Sequence, residues 1–210
     1  MSSPEQLIAG FQRFRERSLA EADAQFHDLV EFGQMPTTLV VGCCDSRVDP
    51  ALILDCAPGD LFVIRNVANL VPPAENQGHY HGTSAALEFG VRNLAVQHII
   101  VLGHAQCGGI HALLEGGVAS NDSYISEWMR IADAAREQIQ QQHGGDSSEV
   151  RHRACEQQAI LVSLKNLMTF SWIRERVEQR KLALHGWYFD IERGELLGYN
   201  TAAKRFEILK

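Results

Sequence analysis

Two short stretches of this chain hold residue types that do chemistry together. Gly42-Cys43-Cys44-Asp45-Ser46-Arg47 closes an apolar run that begins at Leu39, and Gly103-His104-Ala105-Gln106-Cys107-Gly108-Gly109 closes another. In an extended chain, residues two apart face the same way, so Cys43, Asp45 and Arg47 are expected on one side and Cys44 on the other. His104 and Cys107, three apart where a strand gives way to a helix, have a spacing that suits a single metal. Cys43, His104 and Cys107 then offer two thiolates and an imidazole. That is a zinc ligand set with one position left over, the arrangement of a catalytic rather than a structural site. Water or Asp45 could take the fourth position. Arg47, paired with Asp45, would hold that carboxylate off the metal. Gly108 and Gly109 let backbone N–H groups approach closely, which makes the Gly108 N–H a candidate oxyanion contact.

Taken singly, each piece has a plainer reading. A buried cysteine commonly serves as a small hydrophobe, and Asp45-Ser46-Arg47 could be a capping turn with a surface ion pair. What favours one site is coincidence: both stretches lie at the ends of apolar runs, where open α/β sheets gather their functional groups. Cys44, Cys56 and Cys155 are read as packing residues. His79 and His81, in a Gly/Pro-rich loop, are candidates to help move protons.

The elements that must position these residues follow from periodicity. Leu7, Ile8, Phe11 and Phe14 predict an amphipathic helix over about 4–17, and a second is expected near 20–32. The runs 37–43, 61–64 and 98–102 read as buried strands, with a helix over 83–94 between the last two. Asn121-Asp122-Ser123 offers caps for a helix running to about Gln142, which His143-Gly144-Gly145-Asp146 ends. A further helix to about Met168 and a short one over 172–180 precede two strands, 182–190 and 196–199, joined at Arg193-Gly194. Strands alternating with helices predict an α/β fold: a mostly parallel β-sheet flanked by helices, with N-terminal helices and a C-terminal helical subregion. The expected organisation is one domain over 1–210. It divides into a helical arm at 1–35, a zinc-binding α/β core at 36–118, and helices plus C-terminal strands at 119–210.

Composition narrows the partners. The chain has 210 residues, 45% of them hydrophobic and 21% charged, as ordinary globular domains do. A net charge of −7 gives no support to nucleic-acid or anionic-membrane binding. No apolar stretch reaches membrane-spanning length. Five cysteines, an odd count, and an N-terminus without the pattern of a secretory signal predict reduced thiols in a cytoplasmic setting.

With these residues assembled, the sequence resembles the β-class carbonic anhydrases over nearly its whole length. The resemblance is carried by the C-x-D-S-R pattern from Cys43 to Arg47, by PGDLFVIRNVANLVPP from Pro58 to Pro73, and by GHAQCGGI from Gly103 to Ile110. It implies reversible hydration of carbon dioxide to bicarbonate and a proton, with one zinc per subunit on Cys43, His104 and Cys107. It implies Asp45 and Arg47 as a catalytic dyad. It also implies a homodimer, or a dimer of dimers, whose N-terminal helices embrace the partner and whose active sites lie near the subunit interface. Within the family the chain is similar to the plant-like branch. There Gln34, Phe62, Val67 and Phe89 would form the substrate pocket, Phe89 replacing a usual Tyr. The other branch closes its metal with the Asp and binds a regulatory bicarbonate through a Trp, an Arg and a Tyr. The corresponding positions here are Val40, Arg65 and Phe189, with Tyr188 expected to face the other way. The resemblance therefore implies an open metal and no such switch. Two rivals share these residues: a hydrolase of carbon disulfide or carbonyl sulfide, and a non-catalytic zinc or thiol-redox protein, which would need neither the Asp45–Arg47 pair nor Gln34.

Overall fold

A computed structural model of the chain describes residues 3–18, 24–75, 81–116 and 123–209. At its centre lie six strands in the order β2-β1-β3-β4-β5-β6: β1 Thr38–Cys43, β2 Leu61–Asn66, β3 His98–His104, β4 Ala183–Asp190, β5 Glu195–Asn200 and β6 Arg205–Ile208. The first four run parallel and the last two return antiparallel. The strands of the parallel part read as continuous apolar runs because both of their faces are covered. Leu39, Val41, Ile99 and Val101 point to one face, against Leu87, Val91, Ile160, Leu167 and Ile173. Val40, Ile100 and Leu102 point to the other, against Trp187 and Phe189.

The helices are α1 Pro4–Ser18, α2 Ala24–Phe32, α3 Pro50–Ile53, α4 Gly82–Glu88, α5 Gly108–Leu114, α6 Tyr124–Met129, α7 Asp133–His143, α8 Ser148–Leu167 and α9 Ser171–Glu178. Among the described residues, none is long and apolar enough to cross a membrane. The sheet flanked by helices is the fold expected from the sequence. The differences are local. The helix expected from 121 to 142 starts as predicted, with the Ser123 hydroxyl accepting the Ser126 N–H at 3.4 Å, but a 3₁₀ turn at Arg130–Ala132 divides it into α6 and α7. Asn121, Asp122 and residues 19–23 lie outside the described residues, as does His79.

The helix expected over 83–94 begins at Gly82 and widens after Glu88 into a π turn, Phe89–Asn93, with Leu94 N–H bonded to Phe89 C=O at 3.0 Å. Gly90 sits in that turn because any Cβ there would come within 2.5 Å of Leu39. The Arg193-Gly194 hairpin forms as predicted, with Gly194 at φ 65°. α3 and β6 were not predicted. α3 has one turn, capped by Asp49, whose carboxylate accepts from Ala51 N–H at 3.1 Å and Leu52 N–H at 3.3 Å. Four residues carry too little pattern to be seen in a sequence.

Candidate metal centre

Parallel pairing of β1 with β3 sets the site. Gly42 pairs with Leu102, so Cys43, one residue further along β1, and His104, two residues further along β3, emerge at the same end of the sheet. Cys107 caps the start of α5, three residues past His104. Cys43, His104 and Cys107 are all buried, and their ligand atoms lie within 4.8 Å of one another. Zn–S and Zn–N bonds of about 2.3 and 2.0–2.1 Å require such spacing. The His104 ring fits a metal independently. Its Nδ1–H donates to the Ala105 carbonyl at 2.8 Å, which leaves Nε2 as a lone pair directed inward. That Nε2 is buried with no hydrogen-bond partner. An orphaned buried nitrogen between two thiols is the signature of a ligand atom.

The two thiols are inequivalent. Donation from Cys107 holds the Cys43 thiol well below its ordinary range, against the opposing effect of burial. Cys107 is pushed up by its bond to Cys43, by burial and by the Cys43 charge. Together the pair keeps one proton. At His104, burial pushes the pKa down, but the adjacent Cys43 thiolate outweighs it and the net shift is upward. From behind, the buried Glu156 carboxylate accepts the Cys107 N–H at 3.0 Å and the Tyr188 hydroxyl at 2.7 Å. Tyr188 therefore faces away from its neighbour Phe189, as expected. Neither Glu156 nor its partner Tyr188 was singled out as part of the site.

Asp45 and Arg47 meet, though not by strand alternation. β1 ends at Cys43, and Asp45–Val48 forms a turn closed by Val48 N–H to Asp45 C=O at 3.1 Å. Within it Asp45 accepts the Arg47 backbone N–H at 3.0 Å, and its two oxygens take Nε–H at 3.0 Å and Nη2–H at 2.7 Å. The hydrogen bond from Arg47 holds the Asp45 carboxyl below the ordinary carboxylate range. The carboxylate is engaged by Arg47 and stands outside the cysteine–histidine cluster. Arg65, the counterpart of a regulatory arginine, is occupied elsewhere. It donates to the carbonyls of Cys43 at 2.9 Å and Asp45 at 2.8 Å, and pairs with Asp49 at 2.7 Å. Val40 is fully buried.

Leaving β1 at Cys43 also turns Cys44 outward. It is exposed, and so is not the packing residue expected from its sequence. Cys155 is fully buried as expected, and burial pushes its thiol up to about 12. Cys44 helps line a cavity of about 690 Å³ together with Val67, His81, Thr83, Ile125 and Trp128. The Val67 carbonyl accepts the Trp128 indole N–H at 2.8 Å, which ties two of these lining residues together. The steric need for glycine falls on Gly109, where a Cβ would come within 3.0 Å of Val67. Nothing lies within 4 Å of a Cβ at Gly108, so a side chain there would meet open space.

The other expected pocket residues lie apart. Phe62 and Phe89 stack on each other, centroids 5.8 Å apart. Phe62 pairs in register with Leu39, four residues before the Asn66–Cys43 pair. It is therefore about 13 Å along the sheet from the metal-bearing end. Gln34 is exposed in the segment between α2 and β1.

Two thiols and an imidazole, converging at the carboxyl ends of a parallel sheet beside an ion-paired carboxylate, define an α/β protein with a site able to hold a transition metal. Comparison with known proteins narrows that class. The family profile described as carbonic anhydrase matches residues 38–196. The chain is 38% identical over 183 residues to Beta carbonic anhydrase 6, mitochondrial, of Arabidopsis thaliana, covering 86% of this chain. It spans 62% of that relative's length. The solved structure of the beta-carbonic anhydrase CcaA superposes with a TM-score of 0.91 at 35% identity, over 98% of this chain and 92% of that one. A tetrameric beta-carbonic anhydrase from Sordaria macrospora gives a TM-score of 0.80 at 28% identity, over 92% and 95%. The chain belongs to the carbonic anhydrase family, in its β class.

Proposed function

We propose that this chain catalyses the reversible hydration of carbon dioxide to bicarbonate and a proton, with one zinc ion per subunit held by Cys43, His104 and Cys107. The observation that carries this reading is the orphaned, buried Nε2 of His104 between two thiols, with an ionised carboxylate alongside. Two sulfurs and an imidazole suit zinc better than the harder cations. When bound, zinc supplies the Lewis acidity that brings the pKa of a water to about 7, a figure long known from carbonic anhydrases with three histidine ligands.

The chain's own residues supply the rest. Asp45, fixed by Arg47 on both oxygens, keeps lone pairs free to accept a hydrogen bond from the attacking water and orient it. Carbon dioxide is apolar and uncharged, so in this reading the Val67 wall positions it with little polar help, and the Gly108 N–H is the donor for the oxygen that gains charge. Because Arg47 engages the carboxylate, the fourth coordination position is left open in this reading. Leu7, Ile8 and Phe11, on α1, are more than half exposed, which supports a homodimer in which α1 packs on a partner. In that dimer Gln34, Phe62 and Phe89 line the partner's pocket rather than their own.

Stopped-flow carbon dioxide hydration, with zinc measured on the same sample, tests the reading. Turnover that scales with zinc content is the expected result. A fully metallated protein without hydration activity, or one that acts only on carbon disulfide or carbonyl sulfide, overturns it.

A further inference from the structure

The hydrogen bonds of the Asp45–Arg47 pair continue beyond the chemistry described above. Arg47 gives further donors to a single residue of the other loop: Nη1–H to the Gln106 side-chain oxygen at 3.3 Å and Nη2–H to the Gln106 carbonyl at 3.1 Å. The Gln106 amide then donates to Glu192 Oε1. Glu192 stands in the turn between β4 and β5, and that turn is fixed from below. Asp190, 1% exposed, accepts the backbone N–H groups of Glu192 and Arg193 at 3.2 Å each and is paired with Arg153.

This chain of contacts solves a mechanical problem. Arg47 is a long side chain, 48% exposed, on a surface turn. Held by Asp45 alone it would retain much of its rotamer freedom, and fixing it costs entropy that one exposed partner offsets poorly. Contacts from a second loop, anchored on the buried Asp190 carboxylate and its half-buried partner Arg153, remove that freedom. Gln106 also adopts φ 59°, a left-handed conformation unusual for a residue other than glycine, which directs both of its oxygens to Arg47. Asp45 is two residues from the ligand Cys43, so a carboxylate released from Arg47 has the metal within reach.

We propose that Gln106 and Glu192 are positioning residues: a strap from the β4–β5 turn that keeps Arg47, and through it Asp45, turned away from the metal's open coordination position. The proposal rests on the metal-site reading above and deepens it. The test uses the full-length protein loaded with cobalt(II) in place of zinc, titrated with thiocyanate and followed by visible absorption. In Glu192→Ala and Gln106→Ala, Asp45 competes for the position. Thiocyanate affinity is then expected to fall at least about tenfold at unchanged metal content, and kcat/KM for carbon dioxide to fall in parallel. Glu192→Gln, which keeps the acceptor oxygen, restores both. Thiocyanate affinity within twofold of wild type in both metal-loaded alanine variants overturns the strap. Wild-type protein that takes up no cobalt instead overturns the metal-site reading, and the strap falls with it. The Glu192 and Gln106 side chains are exposed, and thermal unfolding of each variant separates a lost strap from a lost fold.

Discussion

The Glu156 carboxylate sits directly behind Cys107, accepting that residue's backbone N–H at 3.0 Å. Its other oxygen takes the hydroxyl of Tyr188, which is fully buried. Removing the carboxyl therefore strands two donors without access to water. At roughly 1–3 kcal/mol for each unpaired buried group, Glu156→Ala is expected to lower stability by about 2–6 kcal/mol. Chemical denaturation of the metal-loaded protein checks this, and a loss under 1 kcal/mol would show that the two donors find other partners.

Asp45 is held below the ordinary carboxylate range by its hydrogen bonds to Arg47. A depressed carboxylate stabilises the fold above its unfolded pKa, about 3.9, and that contribution is lost as pH falls through the lower folded value. The difference in melting temperature between wild type and Arg47→Ala should thus stay constant from pH 5 to 8 and shrink only in stronger acid. By the same sign, any fall in hydration activity between pH 8 and 5 does not come from protonating Asp45. Asp45→Asn should retain the metal and lose at least about 10²-fold in kcat/KM. A variant with wild-type turnover refutes a role for the carboxylate.

The candidate ligands were legible because their chemistry is uncommon and their placement local: each lies at or just past the end of an apolar run that sequence alone marks as a strand. Their neighbours are arranged by a turn that strand alternation does not describe. Alternation put Cys43, Asp45 and Arg47 on one face, yet the strand stops at Cys43, and Arg47 reaches Asp45 through a turn. That same turn carries Cys44 into solvent. Glu156, Gln106, Glu192 and the real use of Arg65 were invisible for a different cause. Their partners lie 49, 59, 86 and 20 residues away, and no periodicity encodes such pairings. In the fold, one-turn α3, four-residue β6 and the π turn after α4 are set by tertiary packing, as the contact of Gly90 with Leu39 illustrates.

Metal uptake should release protons. Without metal, Cys43 and Cys107 share a proton, Cys43 lowered by the bond it accepts and Cys107 raised by the bond it donates, by burial and by the Cys43 charge. Binding needs both as thiolates and His104 neutral, so affinity should fall about tenfold or more for each unit of pH lowered. Chelator competition between pH 6.5 and 8.5 measures it, and a flat profile would mean the thiols are not the ligands. The adjacent cysteines separate cleanly in the same assay. Cys43→Ser should lose the metal, whereas the exposed Cys44→Ser should bind as wild type does.

The stacked Phe62 and Phe89 lie about 13 Å along the sheet from the metal end, so they line a catalytic pocket only if that pocket belongs to a second copy. Complementation decides this. In a mixed dimer of Asp45→Asn with Phe62→Ala chains, sharing of sites across the interface would leave one pocket doubly damaged and the other wholly wild-type. Mixing the two weakly active variants, after dissociation and reassembly, should then recover up to about a quarter of wild-type activity, since half the dimers are mixed and each carries one intact site. If Phe62 instead served its own chain, every site would carry one lesion and mixing would recover nothing. The outcome turns on arithmetic rather than on the size of either defect, provided each variant alone is well below a tenth of wild-type activity.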